Sequence, residues 1–241
     1  MYAGGVYRLA LSLGATFVAC TLGARAWADT PSLPPGGAAD RPYTVAQLGV
    51  GLLTLPAADV CLRERPCTKG DNSIEIDFWQ LYRANRYFAI GAGASVALKP
   101  VTDNPPSVSG IDRSHTRSYF LVEAQGRYYA VRAETFEGWL GLTAGAVIVS
   151  DRYAIENGEQ SSAAIIGPRA STVRTEGGAV GMLIGANWSF ATNWAVGLSA
   201  RYMQWFLPHD AATTIFLDRA TLTDQQSALN VGISCSYRIA L

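Results

Sequence analysis

The chain has 241 residues, and its 19 Lys and Arg balance its 19 Asp and Glu. That low, even charge excludes a surface built to bind nucleic acid or a strongly charged substrate. Past the N-terminus, no apolar run reaches the roughly 20 residues a membrane helix needs.

Residues 1–28 read as a secretory signal. Arg8 precedes an apolar stretch from Leu9 to Leu22, and Ala26-Trp27-Ala28 places small residues where a signal peptidase reads. Cleavage is expected before Asp29. A poor lipobox, Phe17-Val18-Ala19-Cys20, is the competing processing site. Residues 29–43 are rich in Pro, Gly and Ala and read as a flexible periplasmic lead-in. The remainder, 44–241, reads as one barrel domain.

Eight segments alternate in character with the two-residue period of strands: about 45–55, 73–83, 86–98, 117–131, 136–150, 174–190, 193–207 and 228–241. The last shows it best. Val231, Ile233, Cys235, Tyr237, Ile239 and Leu241 share one face, and polar or small residues share the other. Elsewhere the minor face is filled with Gly, Ala and Ser, which suits the crowded axis of a narrow barrel. A soluble sandwich would need far more charge on its outer face.

The connections alternate too. Residues 56–72, 99–116, 151–173 and 208–227 are long; 84–85, 132–135 and 191–192 are short. This is the rhythm of a membrane barrel with short periplasmic turns and long external loops. Tyr82, Phe88, Tyr128, Phe136, Trp188, Phe190 and Trp194 flank the short turns, as an interfacial aromatic girdle would. The fold expected is all-β, an eight-stranded antiparallel up-and-down transmembrane barrel. Within the first long connection, Cys61 and Cys67 are expected to form a local disulfide in an exported protein. Cys235 is left as a lone thiol on the last strand.

The Asn193-Trp194-Ala195-Val196-Gly197-Leu198 strand start, the Gly- and Ala-rich alternation and the C-terminal strand resemble the small outer-membrane barrel superfamily of the OmpA transmembrane domain, OmpX and OmpW. The resemblance covers about 45–241. It implies a Gram-negative outer membrane, surrounding lipid as a partner, and insertion by the barrel assembly machinery. That machinery reads the last strand, here through Tyr237, Ile239 and Leu241. The family usually ends in Phe, so Leu241 is a departure.

Carrying the alternation through every strand turns Glu75, Asp77, Arg83, Glu123, Arg127, Arg201 and Arg238 inward. Opposite charges in a narrow lumen should pair, because lone buried charge is costly. Trp79, Leu81, Leu53, Met203 and Trp205 also turn inward, at both ends rather than in one stripe. Gln80 interrupts the apolar face of its strand and puts the register there in question.

Some barrels of the family act on lipid A with a Ser–His pair. Here His115 follows Ser114 and His209 precedes Asp210, without the spacing of the lipid A deacylases. Both histidines read as solvated loop residues. No catalytic residue, metal ligand or cofactor is assigned. The expected role is structural or surface-interacting, with a lumen plugged by charged pairs and a surface-loop ligand of unknown kind. The alternatives are a narrow pore or an OmpW-like hydrophobic-solute channel. A lipid A-modifying enzyme and a soluble lipocalin-like binding barrel rank below them.

Overall fold

The computed structural model describes residues 42–60, 68–98, 113–155, 170–214 and 218–240. The expected signal segment, Cys61, Cys67 and Leu241 lie outside them. Eight strands follow in chain order: β1 (Tyr43–Val60), β2 (Thr68–Arg83), β3 (Phe88–Leu98), β4 (Arg113–Arg132), β5 (Phe136–Ile155), β6 (Ala170–Ser189), β7 (Trp194–Phe206) and β8 (Gln225–Ala240). Each pairs antiparallel with the next, and β1 pairs with β8 to close the ring. Closure leaves no open sheet edge, so the backbone polar groups of the wall are satisfied without water.

Several strands run further toward the long connections than the alternation indicates. β4 begins at Arg113 rather than 117, β5 ends at Ile155 rather than 150, and β6 begins at Ala170 rather than 174. These extensions carry Arg113, Ser114, Asp151, Arg152, Ser171 and Thr172. Polar residues hide the period, yet the ladder needs only backbone groups and continues through them. At the other end β1 already begins at Tyr43, within the expected lead-in, because Tyr43 pairs with both Arg83 and Ala240. The ladder shifts register between Leu55 and Asp59, where Pro56 has no N–H to give it, and again between Tyr129 and Val131. Cys235 is not a free thiol, contrary to the expectation of a lone one.

The alternation sorts side chains cleanly. Leu142, Met182, Ile90 and Ile184 face out and are 57–69% exposed. Gln80 is also exposed, between buried Trp79 and Leu81, so the register of β2 is the regular one and Gln80 is simply a polar residue on the wall. Among the described residues, outward charges lie near the two ends of the wall, Arg152, Arg174 and Glu176 toward the long loops and Arg132 at the short-turn rim. Between Gly178 and Trp188 the outer face of β6 carries no charge. Ten residues of tilted strand rise about 25 Å, the height of an outer-membrane apolar band. A continuous apolar belt of that height has no stable place in water.

Inside, glycine makes room for large side chains from facing strands. A Cβ on Gly185 would overlap the Trp139 ring, one on Gly93 the Trp79 ring, and one on Gly49 the Asp77 carboxylate. The wall is therefore notched where the lumen is filled. We expect Gly185→Val to cost about 1–3 kcal/mol through overpacking. The check is the urea midpoint of the refolded barrel, and an unchanged midpoint would contradict the notch.

Candidate functional site

The lumen is filled in layers. The lowest lies at the short-turn end. Glu137 of β5 accepts from Arg83 at 2.8 Å and from Arg238 at 3.5 Å. Arg83 also donates to the carbonyls of Asn85 and Arg86, pinning the first short turn, and lies 3.7 Å from the Tyr129 ring centroid. Arg238 donates to Ser189 at 2.8 Å.

Above this, Arg127 donates to Gln47 at 2.9 Å and to Gln125 at 3.2 Å, with its guanidinium 4.0 Å from the Trp139 ring centroid. The next layer centres on Arg201, which is 4% exposed and forks onto two carboxylates, Glu75 and Glu123. Thr143 donates to Glu123 at 3.0 Å.

The seven charges placed inward by alternation therefore all face the lumen, but in separate groups. Arg83 and Arg238 meet Glu137, Arg201 meets Glu75 and Glu123, Arg127 takes amide oxygens, and Asp77 lies over Gly49. Glu137 had no place in the expected network. It sits one residue inside its strand, where the end of an alternation is hardest to fix.

The fourth layer is apolar. Leu53, Leu55, Leu121, Val147, Val149, Met203 and Trp205 are all completely buried there. Tyr119 and Trp205 pack with ring centroids 5.3 Å apart. Charged groups lie on both sides of this apolar layer, so the lumen holds buried ion pairs, as expected, together with packed apolar side chains. Large apolar side chains exclude water without the desolvation cost that each buried ion carries. Trp79 and Leu81 form a smaller cluster nearer the short turns with Tyr43 and Val45.

The connection between β7 and β8 folds down as a cap. Leu207 N–H donates to the Asp224 carbonyl at its neck. Asp224 has φ 59°, a left-handed conformation that Asp tolerates better than most residues. Leu222 reaches the apolar layer. Below the cap, Asp151 accepts from the Thr221 N–H at 3.0 Å and the Thr221 hydroxyl at 2.6 Å, and meets His115 Nε2 at 2.7 Å. Arg117 reaches Asp71 at 2.8 Å and Asp151 at 3.4 Å. Tyr119 donates to Asp71, Tyr153 donates to the Arg219 carbonyl, and Asp218 meets Arg113 and Ser171.

His115 is therefore no solvated loop residue. It lies on β4, is 3% exposed and stacks on Tyr153 with centroids 4.6 Å apart. His209 is exposed, 2.6 Å from Asp224, whose hydrogen bond raises its pKa above the ordinary histidine value. Asp71, Arg117, Asp151 and Thr221 were missed by sequence reasoning. Continuing the inward phase Leu121, Tyr119 reaches Arg117 and His115, and continuing Val147, Val149 reaches Asp151. For Asp71, His115 and Asp151 the signal was present, but the strands were ended too early; Arg117 stood at the very start of its expected strand, and Thr221 lies on no strand. Among the described residues no group of three or more His, Cys, Asp or Glu could hold a metal ion.

The aromatic set stands at the short-turn end. Phe88 packs on Tyr128 at 5.2 Å, Phe136 on Trp188 at 5.0 Å, and Trp194 on Tyr237 at 4.8 Å. Tyr82 and Phe190 are exposed on the outer face of the same end. Tyr237 and Ile239 lie on the outer face of β8.

No protein-family model and no curated protein matches the sequence. Solved structures with a similar course include the following three. Neisserial surface protein A is 13% identical, with 83% of this chain and 97% of that one covered and a TM-score of 0.43. Ail, the attachment invasion locus protein of Yersinia pestis, is 13% identical, with 81% and 98% covered and a TM-score of 0.45. Outer membrane protein AlkL is 13% identical, with 88% and 96% covered and a TM-score of 0.44. Values this low transfer no role, and the architecture rests on the strand pairing itself.

Two outcomes follow from the layers. Arg201→Met should cost about 3–5 kcal/mol by leaving Glu75 and Glu123 uncompensated. Adding Glu75→Gln and Glu123→Gln should restore most of it, as read by urea unfolding. Asp151→Ala should free the cap and speed limited proteolysis within 207–224 by about tenfold or more, with the barrel wall intact.

Proposed function

We propose that this chain is an integral outer-membrane β-barrel that does not conduct, a rigid support displaying its long connections on the cell surface. The termini and the short turns then face the periplasm. One observation carries the reading. The lumen is crossed by a layer of completely buried Leu53, Leu121, Val147, Met203 and Trp205, closed above by the β7–β8 cap.

Water and ions would have to displace packed apolar side chains there, and the Arg201 fork narrows the path again below. A hydrophobic solute fares no better along the axis. The apolar clusters at the two ends are interrupted by the layers of Arg127 and Arg201. The His115–Asp151 pair lies beneath the cap and is bonded to Thr221 and Arg117, which fits a part in holding the cap.

Purified protein in planar bilayers should be electrically silent across voltages. The double variant Met203→Ala/Trp205→Ala, which removes Trp205, the largest member of the apolar layer, and the completely buried Met203 of the same strand, should give resolvable channels. Discrete conductance steps from the unaltered protein would sink the closed-barrel reading.

A further inference from the structure

Arg86 lies in the first short turn and Arg132 ends β4 beside it. Both guanidinium groups lie on the ring of one tyrosine, Tyr87. Arg132 is 4.3 Å and Arg86 5.0 Å from its centroid. Both side chains are exposed, and among the described residues neither has a carboxylate partner. Glu137 is turned inward onto Arg83 and Arg238. Glu134, in the second short turn, makes no ion pair among the described residues. Two like charges held on one ring repel each other, and an anion bridging them would relieve that repulsion. Guanidinium groups match phosphate oxygens in both charge and fork geometry.

A second feature begins at the same place. Tyr87 stacks on Tyr128, which packs against Phe88. From Phe88 and Tyr128 an apolar groove of about 850 Å³ runs up the outer wall past Ile90, Gly126, Leu142 and Met182. Gly126 forms its floor, between its cross-strand neighbours Ile90 and Leu142. A Cβ on Gly126 would meet no atom within 4 Å. Unlike the notching glycines of the lumen, Gly126 serves no packing inside the protein. It leaves a hollow on the face turned to lipid.

We propose that these two features form a site for one phospholipid of the periplasmic leaflet with an anionic headgroup. Its phosphate bridges Arg86 and Arg132, and an acyl chain lies in the groove over Gly126. A zwitterionic headgroup would bring its ammonium against the same guanidinium pair and bind less well. The site rests on the membrane orientation proposed above, which puts the short turns at the periplasmic boundary.

The test uses the full chain refolded in neutral detergent and mixed with equal amounts of phosphatidylglycerol and phosphatidylcholine of matched chains. Native mass spectrometry reads the lipid retained. The unaltered protein should prefer phosphatidylglycerol by about tenfold, on the scale of two surface arginines. Arg86→Gln/Arg132→Gln should bring the ratio near unity. Gly126→Leu should lower retention of both lipids while the circular dichroism stays that of the folded barrel. Equal retention by the unaltered protein, or a preference that survives the double glutamine variant, overturns the proposal. So does inorganic phosphate binding without lipid retention, which would mark a free-anion site. Reconstitution separates this from the membrane reading. A chain that stays out of vesicles sinks that reading itself, whereas insertion without lipid preference sinks only the lipid site.

Discussion

An eight-stranded ring is wide enough for side chains and for little else, and the rest of the molecule follows from that narrowness. Every second residue of each strand must enter a space that cannot take large side chains at every position. The chain resolves the conflict by notching its wall. Gly49, Gly93 and Gly185 give up their side chains where Asp77, Trp79 and Trp139 lie against them. Large inward residues are thus bought with small ones on the facing strand. The filled lumen and the glycine-rich minor face are one feature seen from two sides.

The order of the layers reflects the differing costs of burial. A carboxylate or guanidinium taken from water loses several kcal/mol that only close, well-directed partners return. Arg201 meets this demand by serving Glu75 and Glu123 together, with Thr143 holding Glu123. The apolar layer above has no such debt, and its side chains need only fill space. It lies between the Arg201 fork and the Asp151 cluster, and fills that level of the lumen without buried ions. The ionic layers then fix the orientation of what surrounds it. Asp151 in particular ties two wall strands to the cap, because its oxygens meet His115, Arg117 and both donors of Thr221.

The outer face obeys a different solvent. There the apolar side chains stand exposed, and polar departures such as Gln80 do not interrupt the barrel. Gly126 belongs to this face, which explains why it differs from the notching glycines Gly49, Gly93 and Gly185 in having empty space where a Cβ would be. Guanidinium groups gather at the short-turn rim in two distinct settings. Arg83 and Arg238 are drawn inward by Glu137, while Arg86 and Arg132 remain outside on Tyr87. Residues of one type at one height thus divide between structure and surface.

The sequence by itself determined the strand number, the alternation of long and short connections, and the face of the barrel to which each of Glu75, Asp77, Arg83, Glu123, Arg127, Arg201 and Arg238 belongs. It could do so because side-chain direction in a strand is a local property with a period of two. It left the strand ends uncertain where Arg113, Asp151 and Ser171 mask that period, and so missed Asp71 and Asp151 and misread His115 as solvated; that Arg117 and Thr221 join them is a long-range meeting no local period records. Only the tertiary structure decided which charges share a layer, that Glu137 joins Arg83, that a buried apolar layer stands between the charged ones, and that Leu222 of the β7–β8 connection reaches it. Those outcomes depend on the tilt and stagger that bring residues far apart in the chain to one height in the ring. Thr221 and Arg117, more than one hundred residues apart, meet at 2.8 Å. A local period carries no record of such a meeting, because it fixes which way a side chain points and not what stands opposite.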